Sequence, residues 1–215
     1  IEIGIPFSDP VAEGIVIQKA DERALAAGTT TDKIFDMVES IQDKMHVPMV
    51  FMTYANVIFV YGIEKFAKRS KEIGMSGVII PDVPFEEKEE MDSVFSKYDL
   101  DVISLIAPTS HDRIQAIAAE AKGFVYCVSS LGVTGMRSTI NKGVAQMIEQ
   151  VKKTKDIPCA IGFGISTPEQ AKEMSEFSDG VIVGSAIVKL VETYGKECIK
   201  PVSEYVKSMK EAVAE

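Results

Sequence analysis

Three carboxylic acids fall within the opening stretch IEIGIPFSDPVAEG, and each could do chemistry. Glu2 interrupts the alternation of Ile1, Ile3 and Ile5, so a strand here turns Glu2 and the small Gly4 to one face and the isoleucines to the other. A carboxylate on an apolar strand is costly to bury. It must find a cation, keep its proton, or serve as an acid–base group with a raised pKa. The first Lys or Arg downstream is Lys19, which favours the last of these. An edge strand with Glu2 facing water is the alternative, and the strand alone leaves both open. Asp9 and Glu13 belong to the loop that follows. Pro6 and Pro10 stiffen it, Ser8 and Asp9 can bond the local backbone, and Glu13-Gly14 closes it before a helical pattern begins. A rigid loop at the C-terminal end of a strand is where barrel enzymes place their chemistry.

Anion binding is the second chemistry in the chain. AIGFGIS at 160–166 ends one apolar run, and VIVGSAI at 181–187 ends the next and opens a helix. Glycines let backbone amides approach a phosphate, Ser185 adds a hydroxyl donor, and a helix N-terminus favours negative charge. Two such turns at successive strand ends predict a phosphate site, because barrels commonly build one from their last two loops. A third segment, YCVSSLGVTG at 126–135, reads as a strand and a small-residue loop able to close over a ligand. Tyr126 is open to two readings, a site residue or an interior aromatic with a satisfied hydroxyl.

Elements that could position these groups alternate along the whole chain. Strands are predicted at 1–5, 48–54, 77–80, 101–106, 123–128, 158–161 and 180–183. Helices are predicted at 15–27, 31–44, 63–73, 85–97, 111–121, 144–153, 168–176, 186–193 and 199–214. The strands are nearly continuous Val, Ile and Met, as expected for a parallel sheet buried on both faces. Thr167-Pro168-Glu169-Gln170 reads as a capping box with proline at the first helical position. A chain of βα units is either a doubly wound sheet or a closed barrel. No Gly-x-Gly-x-x-Gly turn follows an early strand, which argues against the first. A (β/α)8 TIM barrel takes eight strands and about 250 residues, so this chain is short by one β/α unit. It starts inside a strand and without Met, which predicts a piece of a longer protein.

At 215 residues and 46% apolar, the chain is expected to be one domain with a single large core. A formal charge of -9 argues against nucleic acid or an anionic membrane as partner, while leaving a phosphorylated small molecule open. Cys127, Cys159 and Cys198 are widely spaced and read as reduced packing residues; with only His46 and His111 beside them, no metal centre is expected. No membrane-spanning run or signal peptide is apparent, so a cytoplasmic location is expected.

IEIGIPFSDPVAEG with the following Ile17-Gln18 closely resembles the signature of the tryptophan synthase alpha subunit family, and the resemblance runs the length of the chain. It implies a (β/α)8 barrel lacking its first strand and N-terminal helices here, and retro-aldol cleavage of indole-3-glycerol phosphate to indole and glyceraldehyde 3-phosphate. Residue by residue, it implies Glu2 in proton transfer and Glu13 on the indole ring nitrogen, with Tyr126 lining the site. It puts Gly135, Gly164, Gly184 and Ser185 on the phosphate, Thr134 in a lid that meets the first loop, and Met52 and Phe163 in the pocket, with Ile103 or Leu105 as further walls. The segments 51–56 and 81–87 match the pocket or the subunit contact, and Asp82 is either a turn residue or a partner contact. The family needs no metal or organic cofactor for this step; pyridoxal phosphate belongs to the beta subunit, which receives the indole in an alpha2beta2 complex. Three positions depart from the pattern: Glu13 where many members have aspartate, Ile15 where proline is frequent, and Ser130 where some have arginine. Two other readings compete, a sugar-phosphate isomerase or epimerase barrel and a non-catalytic subunit that only activates its partner.

Overall fold

Short runs of Val, Ile and Met become strands wherever they were predicted. The computed structural model describes residues 1–128, 137–162 and 164–214. Its strands are β1 (Glu2–Gly4), β2 (Val50–Met52), β3 (Gly77–Ile79), β4 (Asp101–Val102), β5 (Ser104–Ile106), β6 (Val125–Val128), β7 (Cys159–Gly162) and β8 (Gly180–Val181). Its helices are α1 (Ile15–Ala26), α2 (Thr31–Ile41), α3 (Ala55–Tyr61), α4 (Ile63–Glu72), α5 (Lys88–Phe95), α6 (Ile114–Glu120), α7 (Arg137–Thr154), α8 (Pro168–Ser175), α9 (Ser185–Tyr194) and α10 (Ile199–Ala214). All pairings are parallel, in two sheets ordered β1-β2-β3-β4 and β5-β6-β7-β8. The chain divides into two compact units, Ile1–Ile103 and Ser104–Glu215.

In the first unit, the register aligns Ile3 with Phe51 and Phe51 with Val78. Residues in register on parallel strands share a face, so these side chains point together toward the helices. They meet a core that includes Phe35 and Val38 of α2, Ile58 of α3, Phe66 of α4 and Phe95 of α5, each fully buried. Phe35 makes edge contacts with Phe51 at 5.1 Å and Phe66 at 5.2 Å. Arg69 lies over the Phe35 ring and joins α4 to α2 through Asp32, Asp36 and the Tyr61 hydroxyl.

In the second unit, Leu105, Tyr126 and Ala160 align across β5, β6 and β7. Val125, Cys127, Cys159 and Ile161 are fully buried, and both cysteines are free thiols. The predicted capping box is present, with the Gln170 N–H donating to Thr167 Oγ1 and the Thr167 N–H to Gln170 Oε1. Asp179 accepts from both Lys152 Nζ and the Cys159 N–H at 2.7 Å, fixing α7 to the start of β7.

Three boundaries differ from the sequence reading. Helix α3 was not predicted: ANVIFVY has no polar face and no local cap. Its first amide, that of Ala55, is instead capped by Asp82 Oδ1 at 3.0 Å, from the loop after β3. This assigns Asp82 a structural bond that the sequence left undecided. Helix α7 starts at Arg137 and not at 144, because the polar run before Gly143 hides the helical period and a Cβ at Gly143 would meet nothing. The strand expected at 101–106 is split at Ile103, with Asp101–Val102 on β3 and Ser104–Ile106 on β6.

Phe66 touches Phe35, Phe51, Tyr61 and Phe95. Phe66→Ala is expected to lower the unfolding free energy by about 3–5 kcal/mol in urea titration. A loss below about 1 kcal/mol would show that this aromatic cluster does not hold the first unit.

Candidate active site

The register that turns half-buried Ile3 and buried Phe51 to one face sends Glu2 and Gly4 to the opposite face, beside Val50 and Met52 and near Gly77 and Ile79. Burial pushes the Glu2 pKa to about 7, outweighing the opposing pull of the Ile1 amino group. Gly4 leaves open space next to it, since a Cβ there would meet no atom within 4 Å. A carboxyl that titrates near neutral pH beside an open, apolar face can both give and take a proton. Met52 is half-buried on the same face.

The loop from Pro6 to Gly14 is held at several points. The Ala12 N–H donates to the Tyr54 hydroxyl at 2.9 Å, the Phe7 ring packs on Tyr54 at 5.1 Å, and Gln18 Nε2 donates to the Glu13 carbonyl at 2.7 Å. The Phe7 N–H faces the Asp21 carboxylate. Glu13, at the end of this loop, has its pKa raised to about 7, first by burial and then by Asp21, with Asp82 adding to it. Burial also lifts Asp21 to about 6. Glu13 Oε2 is buried and has no hydrogen-bond partner among the described residues. Buried polar atoms are almost always satisfied, so a partnerless carboxylate oxygen is suited to receive an N–H from a ligand.

In the second unit, Tyr126 is buried on β6 and its ring lies against Gly162 of β7. A Cβ at Gly162 would sit 2.3 Å from the Tyr126 hydroxyl, so the ring keeps its place only because residue 162 has no side chain. Beyond β7, Gly164 takes φ +86, a left-handed conformation that only glycine adopts at little cost, and it is exposed. The neighbouring strand β8 leads to Gly184 and Ser185, also exposed, at the start of α9. That helix begins with no side-chain cap and no acid in its first turn, leaving free amides for an anion. Gln170 and the Tyr205 hydroxyl hold Ser166, fixing the loop that carries Gly164.

Of the residues singled out by sequence, Glu2, Glu13 and Met52 fall in the first unit, and Tyr126, Gly164, Gly184 and Ser185 in the second. Thr134, Gly135 and Phe163, with Ser130, lie outside the described residues. Sequence reasoning missed Asp21, and it named Tyr54 only within the segment 51–56 and Gly162 only within an anion-binding turn. The spacing of Gln18 and Asp21 on one helix face was a usable signal for Asp21; no local signal ties Tyr54 to Ala12. A cavity of about 370 Å³ opens beside the first loop, lined by Pro6, Phe7, Leu25, Asn56 and Val60 among others, with Val60 81% exposed. Among the described residues no group of three or more His, Cys, Asp or Glu could hold a metal ion.

A family profile described as tryptophan synthase alpha chain matches residues 1–214. The tryptophan synthase alpha chain of Lacticaseibacillus casei is 46% identical over 213 residues, covering 99% of this chain and 80% of that one. The crystal structure of tryptophan synthase subunit alpha from Legionella pneumophila str. Paris superposes with a TM-score of 0.88 at 37% identity, covering 99% of this chain and 80% of that chain. Tryptophan synthase from M. tuberculosis in its aminoacrylate-bound form gives a TM-score of 0.86 at 30% identity, covering 99% and 80%.

Between pH 4.5 and about 7 the folded chain holds protons on Glu2 and Glu13 that the unfolded chain releases. Their contribution to stability is therefore fully present below pH 4.5 and is lost as pH rises through about 7. Glu2→Gln is expected to flatten the fall in stability across this window, read by urea unfolding at stepped pH. An unchanged slope would mean that Glu2 titrates in the ordinary carboxylate range. Gly162→Ala is expected to cost about 1–3 kcal/mol through overpacking against Tyr126.

Proposed function

The chain belongs to the tryptophan synthase alpha chain family, and from that premise we propose which of its residues carry the reaction. It is a carbon–carbon lyase with the (β/α)8 TIM-barrel fold. It cleaves indole-3-glycerol phosphate to indole and glyceraldehyde 3-phosphate in tryptophan biosynthesis and is the partner of the beta subunit in the alpha2beta2 complex. In this reading residues 1–215 work as one phosphate-binding barrel domain.

The observation that carries the assignment is the buried, partnerless Oε2 of Glu13 at the end of the first loop. The cleavage needs a proton on the indole carbon that bears the side chain, a partner for the ring N–H as positive charge develops there, and removal of a side-chain hydroxyl proton as the carbon–carbon bond breaks. Glu13 in its carboxylate form accepts the ring N–H and offsets the charge. Glu2, with its pKa near 7, delivers the proton to the ring carbon and takes one up as the aldehyde forms. Tyr126 supports the ring face of the site, with Met52 and Phe163 as pocket walls. Gly164, Gly184 and Ser185 bind the phosphate through backbone amides and one hydroxyl, with Gly135 as a further contributor. Thr134 belongs to the lid that meets the first loop. Glu13 retains the charge of the aspartate frequent at this position and reaches one methylene further.

The cavity beside Phe7, with exposed Val60 on its wall, is the surface we assign to the beta subunit. No helix among the described residues is long and apolar enough to cross a membrane. We assign the reaction to the cytoplasm.

Indole release from indole-3-glycerol phosphate, followed with and without beta subunit, tests the assignment. Glu2→Gln is expected to lower kcat by about 10²–10⁴-fold. Ser185→Asp is expected to raise KM, because it sets a negative charge where the phosphate binds. Full cleavage by Glu2→Gln would remove Glu2 from the mechanism.

A further inference from the structure

Tyr54 is almost fully buried, yet its hydroxyl reaches the catalytic loop. We infer that Tyr54 is a positioning residue for Glu13: its hydroxyl anchors the Ala12 amide at 2.9 Å and thereby fixes the backbone from which the Glu13 carboxyl projects. The inference rests on the proposed role of Glu13 in accepting the ring N–H.

The anchor itself is rigid. Tyr54 follows β2, and the residues on either side are both tied down. Thr53 Oγ1 donates to the Ile5 carbonyl at 3.3 Å, the Thr53 N–H to the Ile79 carbonyl at 3.1 Å, and the Ala55 N–H to Asp82 Oδ1 at 3.0 Å. The Tyr54 ring is packed on Phe7, at the other end of the same loop. Tyr54 is therefore fixed from three sides before it meets Ala12, and holds the loop at two points, by its ring and by its hydroxyl.

The hydroxyl accepts the Ala12 proton, so its own proton is free to be given, and among the described residues it has no acceptor. Glu13 Oε2 is buried with no donor. The Ala12 N–H also faces the Glu13 carboxylate, so hydroxyl and carboxylate are grouped about one peptide N–H. The groups acting on Glu13 are Asp21 from α1, Asp82 from the loop after β3 and the Ala12 N–H. Both acids oppose ionisation, and the Ala12 N–H favours it. By holding the Ala12 peptide, Tyr54 fixes this N–H beside the Glu13 carboxyl, whose ionised form is the one needed to accept the indole N–H.

Tyr54→Phe keeps the ring contact with Phe7 and removes only the hydroxyl. In the full chain with its beta subunit, kcat for indole release at neutral pH is expected to fall by up to about tenfold, the scale of a neutral hydrogen bond, with KM nearly unchanged. A purely structural loss would instead show as a lower unfolding free energy with kcat kept. Amide hydrogen exchange at Ala12 in the variant is expected to quicken, because that amide loses its acceptor. Placed on top of Glu13→Gln, Tyr54→Phe is expected to have no further effect on kcat. An inactive Glu13→Gln, combined with an unchanged kcat and unchanged Ala12 exchange in Tyr54→Phe, overturns the assignment of Tyr54. A fully active Glu13→Gln, combined with faster Ala12 exchange in Tyr54→Phe, upholds the anchor and removes Glu13 from the mechanism instead.

Discussion

The side-chain alternation of β1 and β2 is the constraint on which the first unit depends. Ile3 and Phe51 share a face, and Phe51 must pack against Phe35 and Phe66, all three fully buried. Burying a phenylalanine is worth about 1.5–3 kcal/mol, so three of them outweigh any preference of one acid for water. With a side-chain period of two, Glu2 has no choice of face. It is carried to the side opposite the helices, among Gly4, Val50 and Met52, and meets the cost of desolvation by keeping its proton to about pH 7. The same packing that stabilises the unit thus makes the acid useful for proton transfer.

Glu13 reaches a similar pKa by a different route. Burial acts first, as at Glu2, but two further acids, Asp21 and Asp82, stand near it. These two acids are not idle: Asp21 receives the Phe7 N–H, and Asp82 caps α3 at Ala55. They hold the elements around the first loop, and the repulsion they impose on Glu13 is a consequence of that work. A loop built this way is stiff, which matters because an error of about 1 Å in placing a catalytic group can cost about a hundredfold in rate.

The glycines of the second unit serve two separate purposes. Gly162 is a packing requirement, since Tyr126 occupies the space where its Cβ would be. Gly164 and Gly184 have no atom within 4 Å of such a Cβ, so their bareness is directed outward, where backbone amides stay accessible to a phosphate. Three glycines that look alike in the chain therefore divide between making room for Tyr126 and leaving backbone open to solvent, and only their surroundings separate the two.

Much of this was legible in the sequence because it depends on local chemistry. Alternation placed the strands, the Thr167–Gln170 box set the start of α8, and IEIGIPFSDPVAEG marked the strand and loop that carry Glu2 and Glu13. Of the glycines in the turns at 162–164 and 184, Gly164 and Gly184 lie exposed, while Gly162, expected in the same anion-binding turn, packs against Tyr126. What escaped was set by residues far apart in the chain. Helix α3 is capped by Asp82, 27 residues away, and Ala12 is held by Tyr54, 42 residues away. The break at Ile103 depends on β4 pairing with β3 and β5 with β6. Side-chain type and spacing fixed which groups could do the chemistry; tertiary packing decided their desolvation and their anchors, because burial and long-range hydrogen bonds exist only once distant strands are brought together.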